Sequence, residues 1–179
     1  MELQILDAIQ TIRTPILDRL MWFITSLGSA GRVWILLAVI LLIRPKTRKS
    51  GAIILTALVF DLILCNGILK NLVGRTRPFD VNTSVSILIN KPRDFSFPSG
   101  HTAVSFAAVA ALFFSGEKKL WKISLVAAVL IAFSRLYLYV HYPTDILGGI
   151  VVGILAGYIG YRVVDWLQTS ILHRADQVQ

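Results

Sequence analysis

The sequence predicts an all-α integral membrane protein: a six-transmembrane-helix bundle with an N-terminal amphipathic helix. Of the 179 residues, 55% are hydrophobic and only 16% are charged, whereas soluble domains carry about 25% charged residues. Several apolar runs also approach the roughly 20 residues that a helix needs to cross a bilayer. The length fits a single domain spanning residues 1–179.

Six apolar runs are candidates for membrane helices. Five are well defined and cover residues 33–43, 51–69, 102–114, 123–138 and 145–167. A weaker run, 16–27, contains Asp18 and Arg19 near its start, and we count it as the first span. Isoleucines at helical spacing near the N-terminus predict an amphipathic helix that lies in the membrane interface: Ile5, Ile9, Ile12 and Ile16.

The basic residues indicate how the chain is oriented. Two short loops between apolar runs are basic, one with Arg44, Lys46, Arg48 and Lys49, the other with Lys118, Lys119 and Lys122. Alternating helices place both loops on one side, which the positive-inside rule makes cytoplasmic. Loops 70–101 and 139–144 then face the extracytoplasmic side of the inner membrane. The net charge is +8, but the basic residues do not form the stripe with interleaved aromatic residues that is typical of a nucleic-acid site. The expected partner is therefore the bilayer.

The first candidate phosphate-binding motif is Lys70, followed after six residues by Arg77-Pro78. Pro78 disfavours helical backbone at Arg77 and therefore ends any helix there. Two cations at a helix end near the membrane surface can clamp a phosphate, the lysine as a point charge and the arginine through paired hydrogen bonds. Taken alone, such cations more often extend towards lipid headgroups.

The second motif runs from Phe97 to Thr102 and reads Phe-Pro-Ser-Gly-His-Thr, directly before an apolar helix. Unpaired backbone N–H groups at a helix N-terminus favour an anion. Gly100 lets the backbone approach a ligand closely, and Ser99 can donate a hydrogen bond or cap the helix. His101 at the helix mouth is a candidate proton donor. A helix cap with an interfacial histidine is the simpler alternative.

The third motif is Ser134-Arg135, then His141, then Asp145. Pro143 favours a new helix start, which puts Asp145 in the first helical turn, where the helix dipole favours its charge. From there Asp145 can reach one ring nitrogen of His141 and leave the other free to attack. Arg135, at the end of the preceding helix, faces the same point. In the predicted topology all three motifs lie on one face of the membrane.

Together, Lys-x6-Arg-Pro, Pro-Ser-Gly-His and Ser-Arg-x5-His-x3-Asp resemble the signature of the type 2 phosphatidic acid phosphatase (PAP2) superfamily, in order and without substitution, over residues 51–167. The resemblance implies that His141 is a nucleophile that forms a phosphohistidine, that Asp145 orients it, and that His101 protonates the leaving oxygen. It also implies a phosphate cradle made of Lys70, Arg77, Ser99, Gly100 and Arg135, in a six-helix membrane bundle.

Such a site is expected to hydrolyse a lipid phosphomonoester or diphosphate and to release inorganic phosphate. Phosphatidate, phosphatidylglycerol phosphate and undecaprenyl diphosphate are all suitable substrates. No cofactor or metal is expected, because three cations can stabilise the transferred phosphoryl group and no cluster resembles a two-metal site. The sequence leaves the oligomeric state open.

Two other classes of protein share some of these features. A carrier-type or non-catalytic lipid-binding membrane protein is one alternative, although carriers often show repeats or helices interrupted at the midplane. A vanadium haloperoxidase carries the same three motifs but is a soluble protein. Asp61, inside an apolar run, is a further functional candidate, and we favour a structural hydrogen bond over a role in substrate binding.

Overall fold

A computed structural model describes the backbone of residues 1–176 and the side chains of residues 1–170. That part of the chain is entirely helical, without a strand. Its α-helices are α1 (Glu2–Gln10), α2 (Pro15–Gly28), α3 (Arg32–Ile43), α4 (Arg48–Asp61), α5 (Lys70–Val73), α6 (Pro78–Val81), α7 (Gly100–Phe114), α8 (Leu120–Tyr137) and α9 (Pro143–Asp176). A π-helix, Leu62–Leu69, joins α4 directly to α5, and short 3-10 turns precede α3 and α4.

The structure supports a multi-pass membrane protein but does not confirm six spans. In the described part of the chain, 4 largely helical stretches are long and apolar enough to cross a membrane: Pro15–Ile43, Pro45–Val81, Leu120–Tyr137 and Pro143–Ser170. Helix α7 is a shorter apolar helix. The predicted spans 16–27 and 33–43 both fall within the first stretch, so the count of six stays a prediction. Large apolar side chains are exposed along these helices, as lipid contact requires.

A helix forms near the N-terminus, but a position in the membrane interface is not confirmed. Helix α1 ends at Gln10, before the last two isoleucines of the predicted pattern. It packs on the protein: Leu6 is fully buried and Gln10 donates to the Tyr137 carbonyl oxygen at 3.0 Å. Asp7 accepts from the Tyr139 hydroxyl at 2.7 Å. Helix α1 is therefore attached to the end of α8 and to the loop that follows it.

Helices α7 and α9 lie close together because small residues face each other. A Cβ added to Gly153 would lie 2.4 Å from the Ala103 carbonyl oxygen, and one added to Gly157 would be equally crowded. Close backbone approach through small residues is typical of paired membrane helices. It holds the N-termini of the two helices side by side, where the Ser99 amide donates to the Asp145 carbonyl oxygen at 3.0 Å.

The loops gather at two ends of the bundle as predicted. The two basic loops meet at one end, where the Ser50 hydroxyl donates to Glu117 at 2.8 Å. The 70–101 loop and the 139–144 connection meet at the other end, where Arg77 donates to the Val140 carbonyl oxygen at 2.8 Å. All three motifs therefore lie at the end opposite the basic loops.

Candidate active site

Lys70 and Arg77 reach the site from two different local structures. Lys70 opens α5, which ends at Val73 because Gly74 turns the chain with a left-handed φ of 58°. Arg77 is extended, with φ −78° and ψ 153°, and Pro78 starts the next helix. Both cations are buried, at 6% and 3% exposure. A turn, rather than two turns of one helix, brings them together.

Asp94 binds both of these cations and was not among the predicted site residues. Its carboxylate accepts from Lys70 Nζ and from Arg77 Nη2, the latter at 2.8 Å. Arg77 Nε also donates to the Asp94 carbonyl oxygen at 2.8 Å. Burial alone would raise the pKa of this carboxyl, but the hydrogen bonds and charges of Lys70 and Arg77 lower it to about 2. Asp94 is therefore an anion seated on the two cations of the first motif.

Gly100 allows the N-terminus of α7 to approach Lys70. A Cβ at this position would lie 3.3 Å from Asn66 Oδ1 and 3.9 Å from Lys70 Nζ. The next residue, His101, borders the same cavity as Lys70, and its Nε2 lies 3.5 Å from the Ser29 hydroxyl. The backbone amides at this helix start and the imidazole thus face one space.

Ser99 differs from its predicted arrangement. It occupies the N-cap position of α7, but its side chain makes no capping hydrogen bond. The hydroxyl is fully buried and accepts from Thr102 Oγ1 at 3.0 Å. Ser99 is not among the residues that border the cavity. Gly100 borders the candidate phosphate site, and a hydrogen bond from the Ser99 hydroxyl to phosphate stays a prediction.

His141 lies between Asp145 and Arg77. Its Nδ1 is 3.5 Å from Asp145 Oδ2, longer than an ordinary hydrogen bond, and its Nε2 is 3.2 Å from Arg77 Nη1. A guanidinium only donates, so Nε2 is the acceptor and Nδ1 carries the proton towards Asp145. Burial lowers the pKa of His141 to about 3, and Asp145 offsets this only in part. The ring is neutral near pH 7, and its Nε2 lone pair accepts from Arg77.

Arg135 supplies a third buried cation, at 3% exposure. Its Nη1 donates to Thr25 Oγ1 on α2. Its buried Nε has no hydrogen-bond partner among the described residues, and the side chain borders the cavity. A buried N–H group without an acceptor favours an anionic ligand at this position.

Arg75 is a second residue that the motifs did not identify. Its Nη1 donates to Asp145 Oδ1 at 2.7 Å, and its Nη2 to Glu2 Oε2 at 2.5 Å. The guanidinium also lies 3.9 Å from the Tyr142 ring centroid. Ser96 Oγ and the Tyr142 amide complete the hydrogen bonds to Asp145, at 2.5 and 2.8 Å. The sequence places five cations in the 70–101 loop: Lys70, Arg75, Arg77, Lys91 and Arg93. That excess was the available signal, but it could not distinguish phosphate binding from support of Asp145.

These groups surround one cavity of about 670 Å³. Its polar end contains most of the predicted site: Lys70, Arg77, Gly100, His101, Arg135 and His141. The rest is bordered mainly by apolar residues of α3 and α4, among them Ile35, Leu55 and Leu58. In the described part of the chain, no three His, Cys, Asp or Glu side chains are grouped as metal ligands. Cations and histidines at one end and an apolar lining at the other suit an amphiphilic phosphate.

The fold and the site define a helical membrane protein with a cationic, histidine-containing phosphate site, and the chain belongs to the PAP2 superfamily, whose family model matches residues 50–169. An undecaprenyl-diphosphatase of Sulfolobus acidocaldarius is 31% identical over 90% of this chain and 76% of the relative. The crystal structure of Aquifex aeolicus LpxE superposes with a TM-score of 0.78 at 30% identity, covering 90% of this chain and 94% of that one.

A third relative is the transmembrane PAP2-type phosphatidylglycerolphosphate phosphatase of Bacillus subtilis. Its crystal structure matches with a TM-score of 0.71 at 31% identity, over 95% of this chain and 85% of that one. These matches confirm the family predicted from the three motifs. They extend over most of the chain, including helices that precede the first motif.

Proposed function

We propose that this chain is a multi-pass membrane lipid phosphatase that hydrolyses a lipid phosphomonoester or diphosphate through a phosphohistidine on His141. The observation that carries the proposal is the position of His141: its neutral ring presents Nε2 beside Arg77, at the cationic end of an otherwise apolar cavity. Membership of the PAP2 superfamily and the names of the relatives support the same reaction.

In the proposed first step, His141 Nε2 attacks phosphorus and the bond to the leaving oxygen breaks. Burial and the neighbouring cations keep His101 neutral before the substrate binds; it takes up a proton when the anionic phosphate enters and gives that proton to the leaving oxygen. Asp145 holds the Nδ1–H side of the ring and stabilises the charge that develops on it. Lys70, Arg77 and Arg135, which border the cavity, neutralise the phosphoryl oxygens. The Asp94 carboxylate leaves the cations as the phosphate enters, because both anions use the same donors.

In the second step, water attacks the phosphohistidine, and His101, left neutral by the first step, accepts a proton from that water. The bond between phosphorus and Nε2 breaks, its electron pair returns to Nε2 of His141, and inorganic phosphate leaves. Gly100 contributes its backbone amide at the start of α7. No step requires the Ser99 hydroxyl.

The proposal includes the substrates and the location of the enzyme. The relatives are named for undecaprenyl diphosphate and phosphatidylglycerol phosphate, and both lipids, as well as phosphatidate, combine a phosphate with an apolar tail. We place the protein in the inner membrane with its site extracytoplasmic, because the two short basic loops lie at the other end. The 70–101 loop is basic too, but Lys70, Arg75 and Arg77 serve the site. The six-span topology is part of this proposal.

The decisive measurement is phosphate release by the purified protein in detergent containing EDTA, with phosphatidate, phosphatidylglycerol phosphate and undecaprenyl diphosphate offered in parallel. Wild type should release phosphate from at least one lipid, and His141→Ala should release none. Arg93→Ala, a change at an exposed cation of the same outer loop, is the matched control and should retain activity.

Each contrary outcome has a distinct meaning. Release by His141→Ala at a rate close to wild type would remove His141 as the nucleophile. Loss of activity in EDTA that one divalent ion restores would contradict metal-independent chemistry. Lipid binding without release by wild type would favour a non-catalytic lipid-binding or carrier protein instead.

A further inference from the structure

The cavity continues past the phosphate site along the helical stretch that carries Lys70, and two polar side chains border this deeper part. Asp61 is only 3% exposed, and its Oδ1 has no hydrogen-bond partner among the described residues. Asn66 also borders the cavity. The proposed mechanism uses neither residue.

The π-helix brings Asp61 to the same cavity as Lys70. Nine residues separate them, which is about two and a half turns of a regular α-helix and would place the two side chains on opposite faces. Residues Leu62–Leu69 are π-helical instead, and hydrogen bonds between residues five apart give wider turns. As a result Asp61, Asn66 and Lys70 all border the cavity.

The position of Asn66 shows how close these two polar side chains lie to the phosphate site. Asn66 Oδ1 and Lys70 Nζ lie 3.3 and 3.9 Å from the same point, the place of a Cβ on Gly100. Asn66 is therefore a neighbour of the phosphate site, and Asp61 lies one π-helical turn deeper in the cavity. A group a few bonds away from the bound phosphorus can reach the space between the two.

The chemistry of Asp61 selects the kind of group that can bind there. A buried carboxyl oxygen without a donor is costly, and a ligand that supplies a hydrogen bond removes that cost. A hydroxyl group can donate to Asp61 in either protonation state of the carboxyl, and it can bond to the Asn66 amide as well. A second phosphate placed beside an ionised Asp61 would be repelled, and an alkyl chain would leave the carboxyl without a partner.

We propose that Asp61 and Asn66 form a polar subsite that binds a free hydroxyl on the part of the lipid adjacent to the transferred phosphate. This inference rests on the proposed phosphatase function and deepens it by naming the substrate class. The chain then prefers phosphates of glycerol-type or sugar-type alcohols over phosphates of purely hydrocarbon alcohols. Asp61 is a specificity-determining residue, and it takes no part in bond breaking.

The test uses two lipids that differ in one group: 1-acylglycerol 3-phosphate and its analogue with hydrogen in place of the 2-hydroxyl. The ratio of kcat/KM for this pair is measured in detergent for wild type, Asp61→Leu and Asp61→Asn. Wild type should favour the hydroxyl lipid by at least about tenfold, the scale of one hydrogen bond to a buried charged group. In Asp61→Leu the two values should converge, whereas Asp61→Asn, which keeps an acceptor, should retain part of the preference.

Thr56→Val is the matched control, since Thr56 lies on α4 outside the cavity and donates only to the Ala52 carbonyl oxygen at 2.9 Å. It should leave the ratio unchanged. Thermal unfolding in detergent separates a binding role from a structural one. Asp61→Leu should unfold at the same or a higher temperature than wild type if the carboxyl has no partner in the fold, and at a lower temperature if it makes a structural hydrogen bond.

Three outcomes would overturn the subsite. One is hydrolysis of both lipids by wild type with equal kcat/KM, which leaves the phosphatase function intact. Another is a folded Asp61→Leu protein that keeps the full preference. A third is a folded Asp61→Asn protein that is inactive on both lipids, since Asp61 would then serve the chemistry itself. Failure of wild type to hydrolyse any lipid phosphate would instead contradict the proposed function.

Discussion

Replacing Asp94 with Asn should tighten the binding of phosphate-like anions. The Asp94 carboxylate occupies two donors that the substrate needs, Lys70 Nζ and Arg77 Nη2. Asn removes the charge but keeps the size of the side chain and the carbonyl oxygen to which Arg77 Nε donates. A phosphate entering the variant no longer has to displace an anion.

The magnitude follows from the exposure of the Asp94 side chain, which is 52%. Water screens a half-exposed ion pair, and such pairs contribute about 0.2–1 kcal/mol each. Two pairs therefore give roughly 1 kcal/mol, which corresponds to about a fivefold change in affinity. The effect should be the same at mildly acidic and mildly basic pH, because Lys70 and Arg77 hold the pKa of Asp94, despite its partial burial, at about 2.

The assay is competitive inhibition of lipid hydrolysis by orthovanadate and by inorganic phosphate. The inhibition constant of Asp94→Asn should be about fivefold lower than that of wild type. Asp80→Asn, at an exposed acid of the same loop, changes the net charge equally and controls for long-range electrostatics. An unchanged or higher inhibition constant in Asp94→Asn would refute competition and show that Asp94 instead positions the two cations.

Two further predictions concern Asp145 and His141. Arg75→Gln removes an ionic hydrogen bond from Asp145, so kcat should fall by about tenfold or more with little change in KM. The control Arg93→Gln should change neither constant. An equal loss of kcat in both variants would contradict the positioning role of Arg75. Burial keeps the pKa of His141 at about 3, so its protonation should not reduce the rate of enzyme phosphorylation as pH falls from about 7 to 5. Unfolded histidine titrates near 6.5, so between the folded and the unfolded pKa of His141 the unfolded state binds more protons than the folded state. The free energy of unfolding therefore falls as the pH falls through that window. The drop in unfolding temperature on acidification should be smaller in His141→Gln than in wild type, and equal drops would contradict the shifted pKa.

The sequence was sufficient to predict the family and the residues that gather at one end of the bundle. Motif residues such as Lys70, Arg77 and His141 have side chains whose chemistry is specific, and the intervening apolar runs determine which loops share a side. Helix packing is also partly visible in the sequence, since Gly153 and Gly157 recur at four-residue spacing. Such patterns depend on local composition, which a single sequence displays directly.

The features that sequence reasoning missed depend on backbone geometry. A π-helix between α4 and α5 has no hydropathy signature, and regular α-helical spacing would have directed Asp61 away from Lys70. The separate orientations of Arg75 and Arg77, two residues apart, arise in a non-helical turn. Ser99 could be placed at the helix start from sequence, but the hydrogen bond that its hydroxyl accepts from Thr102 could not.

Three aspartates near the site show why residue type alone does not assign a role. Asp145 is fully buried and accepts from Arg75, Ser96 and the Tyr142 amide, so it is fixed and can only orient its neighbour. Asp94 is half-exposed and bound by two cations, so another anion can displace it. Asp61 is buried without a partner among the described residues, so a ligand must supply its donor. The three carboxyl groups are alike, and their hydrogen-bond partners distinguish their roles: Asp145 orients His141, Asp94 competes with the phosphate, and Asp61 binds the lipid.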